Sequence, residues 1–162
     1  MLNNKKTFDV ITPMNKFHRM SKRVAANEQY LDVDIEPGMW VKLTKDGVMG
    51  TKSGTGQGYS ALCLNTYKID NPYEGHDTAD NITVVIKPGV VCRAGSFYFK
   101  DTLDISTLVI GDPLAVMTGG TIDDKNIGKL DKAGSGDLAN AVVIDVTDEY
   151  IEYMIITPKV IA

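Results

Sequence analysis

At 162 residues, with 43% hydrophobic and 23% charged residues, the chain has the composition of an ordinary soluble globular protein and the length to bury a core without staples. No run approaches the roughly 18 apolar residues of a membrane span, and Met1-Leu2-Asn3-Asn4-Lys5-Lys6 lacks the apolar region of a secretory signal. The net charge of -4 hides an asymmetry: residues 1–27 hold six basic groups against Asp9 alone, leaving 11 basic and 20 acidic groups in the remainder. A basic leader on an acidic body suits an acidic partner, nucleic acid or a neighbouring copy of the chain.

Residues 1–28 read as an N-terminal arm and residues 29–162 as a single β domain. In the arm, Thr12-Pro13 has the chemistry of a helix start, and Phe17, Met20 and Val24 would share one face of a short helix. From Leu31 the period changes to two: Leu31, Val33 and Ile35 alternate with Asp32 and Asp34. Pro37-Gly38 turns the chain into Trp40-Val41-Lys42-Leu43, Asp46-Gly47 marks a hairpin, and a strand follows at Tyr59 to Leu64. Trp40, the sole tryptophan, is expected in the core.

Residues 65–81 are rich in turn-forming residues and form the longest internal loop. Further strands are expected at Ile82 to Ile86, Val90 to Arg93 and Ser96 to Lys100, with a helical turn or connection over Asp101 to Thr107. The chain closes on two strands, Ala139 to Val146 and Tyr150 to Thr157, joined as a hairpin through Thr147-Asp148-Glu149. Many short strands with dense punctuation predict an all-β protein, a small barrel or sandwich of antiparallel strands.

A repeat runs through this pattern. Gly38 matches Gly111, Val41 matches Leu114, Leu43 matches Val116, Gly54 and Gly56 match Gly134 and Gly136, and Ala61 matches Ala141. The second copy carries a polar insert around Gly119 to Ile127. Two copies of a turn-strand-turn-strand unit suggest a duplicated β element.

Little in the sequence points to catalysis. His18 and His76 form no metal-binding spacing with each other or with Cys63 and Cys92. Both cysteines sit in apolar runs and read as buried thiols. Gly54-Thr55-Gly56-Gln57-Gly58 is followed by a strand-like run, where a phosphate-binding loop would need a helix. Neither a metal nor a cofactor is expected, and the acidic body argues against nucleic acid. Ala133-Gly134-Ser135-Gly136-Asp137-Leu138 is similar to the first motif of trimeric dUTPases. In that family the motif lies near the N-terminus and a Gly-x-Ile-Asp-x-x-Tyr motif follows. Neither holds here, so that resemblance is set aside.

A different resemblance covers Val90 to Thr157. The sequence Gly111-Asp112-Pro113-Leu114-Ala115-Val116, then Gly128-Lys129-Leu130, Ala133-Gly134-Ser135-Gly136-Asp137 and Ala141-Val142-Val143-Ile144-Asp145-Val146, resembles the capsid decoration (cement) proteins of tailed bacteriophages. It is a cadence of turns and strands over less than half of the chain. It implies a non-enzymatic virion protein, assembled in the bacterial host cytoplasm. Such a protein sits on the outer capsid surface, bridges major capsid protein subunits and self-associates, commonly as a homotrimer.

The partner-contact residues expected in the arm are Lys16, Phe17, Arg19, Met20, Lys22 and Arg23, cations to steer and apolar groups to bury. Deleting residues 1–27 is then expected to leave the β body folded. The alternatives are an enzyme with an unrecognised site, or a small-molecule or glycan-binding β-module. Tyr67, Tyr73 and His76 would line the mouth of such a module, and the same three residues are the secondary candidates for partner contact.

Overall fold

The computed structural model describes residues 6–23, 36–44, 47–50, 59–64, 81–117 and 126–162. Their strands are β1 (Phe8–Val10), β2 (Met20–Arg23), β3 (Trp40–Thr44), β4 (Gly47–Gly50), β5 (Tyr59–Cys63) and β6 (Asn81–Val85). The chain continues with β7 (Val91–Ala94), β8 (Pro113–Val116), β9 (Leu130–Lys132), β10 (Leu138–Val146) and β11 (Ile151–Val160). They form two antiparallel sheets, ordered β1-β7-β11-β10-β8-β9 and β2-β6-β5-β3-β4. The protein is all-β, as its period-two patterning predicts, and neither sheet closes into a barrel among the described residues.

The chain divides into two compact units. Unit 1 comprises Met1–His18, Lys87–Met117 and Lys129–Ala162; unit 2 comprises Arg19–Ile86 and Thr118–Gly128. These boundaries do not coincide with the division at residue 28 that charge suggests. Residues 8–10 form β1, paired to β7 with Asp9 opposite Arg93, and residues 20–23 form β2, paired to β6 with Met20 opposite Val84. Where a short helix was expected there is one 3-10 turn, Met14–Lys16. Thr12 does not cap it; its hydroxyl accepts from the Val91 N–H at 2.8 Å. Pairing to β6 outweighs the helical spacing of Phe17 and Met20, because each strand bond satisfies a backbone group that a lone short helix leaves to water.

In unit 1, Ile151, Tyr153 and Ile155 of β11 are buried alternately, and Val143 of β10 joins the same core. The expected strand at Ser96 to Lys100 is instead a 3-10 turn, Ser96–Tyr98, followed by a single parallel bridge between Phe99 and Leu130. Lys100 N donates to Leu130 O at 2.8 Å, so the chain just past β7 reaches the opposite edge strand, β9. In unit 2, Trp40 and Val41 on β3 and Ala61, Leu62 and Cys63 on β5 are buried in succession, so both faces of this sheet are covered there. Trp40 lies in the core as expected, though its indole N–H has no hydrogen-bond partner among the described residues.

The repeat seen in sequence is a repeat in register. Val41 pairs with Ala61, and their counterparts Leu114 and Ala141 pair with each other. Leu43 pairs with Val48, and Val116 with Leu130. Gly38 N donates to Cys63 O at 2.9 Å, Cys63 N to Met39 O at 2.8 Å and Met39 N to Glu36 O at 3.0 Å. The second copy makes the same three bonds: Gly111 N to Val143 O at 2.8 Å, Val143 N to Asp112 O at 2.9 Å and Asp112 N to Val109 O at 3.0 Å. Both turn glycines have positive φ, 98° and 96°, which side-chain-bearing residues rarely adopt. The correspondence extends past the matched residues, since β2-β6-β5-β3-β4 and β7-β11-β10-β8-β9 have one strand order. The copies differ by β1, which pairs outside β7, and by a register shift in β10 between Ala139 and Ala141. Gly54 and Gly56 lie outside the described residues.

Candidate interaction surfaces

The arm candidates fall in three environments. Phe17 is buried, so it is a core residue. Lys16 and Arg19 are exposed and Met20, at the start of β2, is half-buried. Lys22 and Arg23 have their backbones in β2, opposite Ile82 and Asn81; their side chains lie outside what is described. Tyr67, Tyr73 and His76 lie outside the described residues altogether.

The turn that begins the second copy offers a surface that strand patterning does not reveal. Val109 and Ile110 are adjacent and 60% and 69% exposed; with Val160, at 61%, they are the most exposed large hydrophobic residues among those described. Their backbone is tied down from several sides. Asp112 N donates to Val109 O, Asp112 Oδ2 accepts from Val109 N at 2.9 Å, and Gly111 N reaches across to Val143 O. Lys132 Nζ lies 2.9 Å from Asp112 Oδ2. Burial pushes the Asp112 carboxyl upward, but Lys132 and the Val109 N–H outweigh it and hold the group below the usual carboxylate range. The result is a stiff turn with two bare aliphatic side chains at its tip. The sequence signal for it is two β-branched residues immediately before Gly111-Asp112-Pro113, where a turn would ordinarily carry polar groups.

Exposed acidic groups lie close to this tip along the chain and along β10. Asp104 is exposed, accepts from both the N–H and the hydroxyl of Ser106, and is held low by those two bonds; it caps the turn Ile105–Thr107 that leads into Val109. Asp145, exposed, lies two residues past Val143 on β10, and Asp148 and Glu149 are exposed at the hairpin beyond it.

A second, smaller apolar surface follows β1. Ile11 and Met14 are 42% and 48% exposed, on a segment fixed by Ile11 N and Thr12 N, which both donate to Val91 O. Lys16 is exposed at the end of its 3-10 turn, and Lys87 is exposed on the turn that leads into β7. The neighbouring acid, Asp9, faces Arg93 in register.

On the outer face of the same sheet, Arg93 Nε and Nη2 donate to Glu152 Oε1 at 3.2 and 2.6 Å, and the guanidinium lies 4.2 Å over the Tyr150 ring. Elsewhere in unit 1, Lys129 Nζ and Lys6 Nζ lie 4.3 and 5.1 Å from the centroid of Phe97, which packs edge-on against Tyr98. These arrangements stiffen the unit.

Cys63 and Cys92 are buried thiols outside any disulfide. Burial pushes the Cys92 thiol up to about 12 against a hydrogen bond from Tyr153 that lowers it, so Cys92 is no nucleophile at neutral pH. No group of three or more His, Cys, Asp or Glu residues is arranged to hold a metal ion among the described residues, and no helix there is long and apolar enough to cross a membrane. No family model, curated protein or solved structure matches the chain.

Proposed function

We propose that this chain is a non-enzymatic structural protein of a phage virion, which binds the outer surface of the capsid and stabilises the shell by bridging major capsid protein subunits. The observation that carries the reading is the duplication. Two modules of one strand order in a single chain give it two similar frameworks, and a shell built from repeated subunits offers similar sites at regular intervals. Two weak attachments on one chain act as one strong one, because the second forms at a high effective concentration. The turn cadence from Gly111 to Val146, which resembles capsid decoration proteins, falls on one of these modules and supports the same reading. Localisation on the virion and self-association, with the trimer that the resemblance implies, belong to this proposal.

The test is co-sedimentation with capsids that lack their decoration protein. Saturable binding to shells, with a raised temperature of capsid disruption, is expected. Absence of binding at tens of micromolar protein would overturn the reading.

A further inference from the structure

We propose that the Val109–Ile110 turn of one chain docks on the Ile11–Lys16 surface of a second copy, so that the protein associates head-to-tail with itself. Three observations meet here, none of which depends on the capsid reading.

The first is that the fold does not require the apolar pair. The duplicate turn, with the same three hydrogen bonds and the same glycine conformation, carries Glu36 and Pro37 where this one carries Val109 and Ile110. Both of those residues are half-buried, whereas Val109 and Ile110 stand 60% and 69% in water. Exposing them loses hydrophobic free energy that burial against a partner would recover.

The second is preorganisation. Asp112, anchored by Lys132, fixes the turn through both the N–H and the carbonyl of Val109. Docking therefore orders little that is not already ordered, which is what a small contact needs in order to bind at all.

The third identifies the occupant. The exposed charges tied most directly to the turn are acidic: Asp104 caps the 3-10 turn that leads into Val109, and Asp145 lies two residues past Val143, which accepts from Gly111 N. A complementary surface must be apolar at its centre and basic at its edge. The chain offers this combination where Ile11 and Met14 are exposed: Lys16 follows Met14 by two residues, and Lys87 precedes by four residues Val91, whose carbonyl accepts from Ile11 N. Turn and receiving surface are different patches, so the contact is heterologous and propagates until it closes into a ring.

Sedimentation velocity over a concentration series of the full chain tests this. The weight-average mass is expected to rise above the 17.7 kDa of one chain as concentration increases. Ile110→Asp and Lys16→Glu should each weaken association about tenfold or more, and added salt should weaken it by screening these charges. A mixture of Ile110→Cys and Met14→Cys proteins should form a mixed disulfide that neither protein forms alone, since Cys63 and Cys92 are buried. Circular dichroism of each variant confirms that the sheets are intact. A constant monomer mass up to millimolar concentration would overturn the proposal, and so would cross-linking of Ile110→Cys to itself at full yield, which means a symmetric contact. A monomeric protein whose Ile110→Asp variant loses shell binding would overturn it too, and would assign the turn to the capsid.

Discussion

Gly111 and Gly128 both hold left-handed backbone, at φ +96° and +79°, yet they meet different surroundings. A Cβ built on Gly111 touches nothing within 4 Å, whereas one on Gly128 would lie 2.8 Å from the Trp40 carbonyl oxygen. Gly111→Ala should therefore cost about 1–2 kcal/mol, the conformational penalty alone. Gly128→Ala should add about 1–3 kcal/mol of overpacking, since backbone rather than a flexible side chain must move. Urea unfolding of the two variants measures the difference; equal costs would mean that the approach to Trp40 relaxes freely. Asp112 gives a residue-level prediction in pH. Its folded carboxyl is held low, so its contribution is full above the unfolded value of about 3.9 and is lost as pH falls through the folded value. The stability gap between the wild type and Asp112→Asn should stay level from pH 7 to 5 and shrink below pH 4, read as urea midpoints.

Among the elements, the two N-terminal strands change what a truncation means. Deleting residues 1–27 would remove β1 from one sheet and β2 from the other, and with them buried Phe17. The expectation that the body survives this cut is replaced. We predict loss of the cooperative thermal transition in a circular-dichroism melt. The reason these strands escape a reading of sequence is physical. Phe8-Asp9-Val10 is too short to show a period, and Phe17 and Met20 share a helical spacing that only pairing to β6 overrides. Longer strands were legible: β10 and β11 follow from Ala141-Val142-Val143-Ile144 and from the alternation of Ile151, Tyr153 and Ile155. The repeat was legible at Gly38 and Gly111 because a positive φ restricts the residue choice. Val109 and Ile110 stand out in sequence only as a β-branched pair at a turn; their exposure depends on what the turn packs against, which no local pattern records.

At the scale of the molecule, the chain does not complete one unit before starting the other. Residues 118–128 belong to unit 2, although the flanking strands β8 and β9 belong to unit 1. Unit 2 needs this excursion: Trp40 N donates to Gly128 O at 2.9 Å, and Ile127 is buried. A fragment of residues 19–86 should accordingly fail to fold, giving an amide NMR spectrum of narrow dispersion. A well-dispersed spectrum from that fragment would show that the excursion is dispensable.

Duplication also gives this molecule a matched pair of internal reporters. The amides of Gly38 and Gly111 occupy the same place in the same turn, and each donates to a carbonyl on the strand beside it, Cys63 in unit 2 and Val143 in unit 1. Their chemical settings are close enough that intrinsic exchange with deuterium is nearly equal, so any difference in protection measures a difference in opening free energy. Two peaks in one spectrum can thus follow the local stability of two units under identical conditions. If binding to a shell or to a neighbouring copy rigidifies the Val109–Ile110 turn, the Gly111 amide should slow while Gly38 serves as its own control.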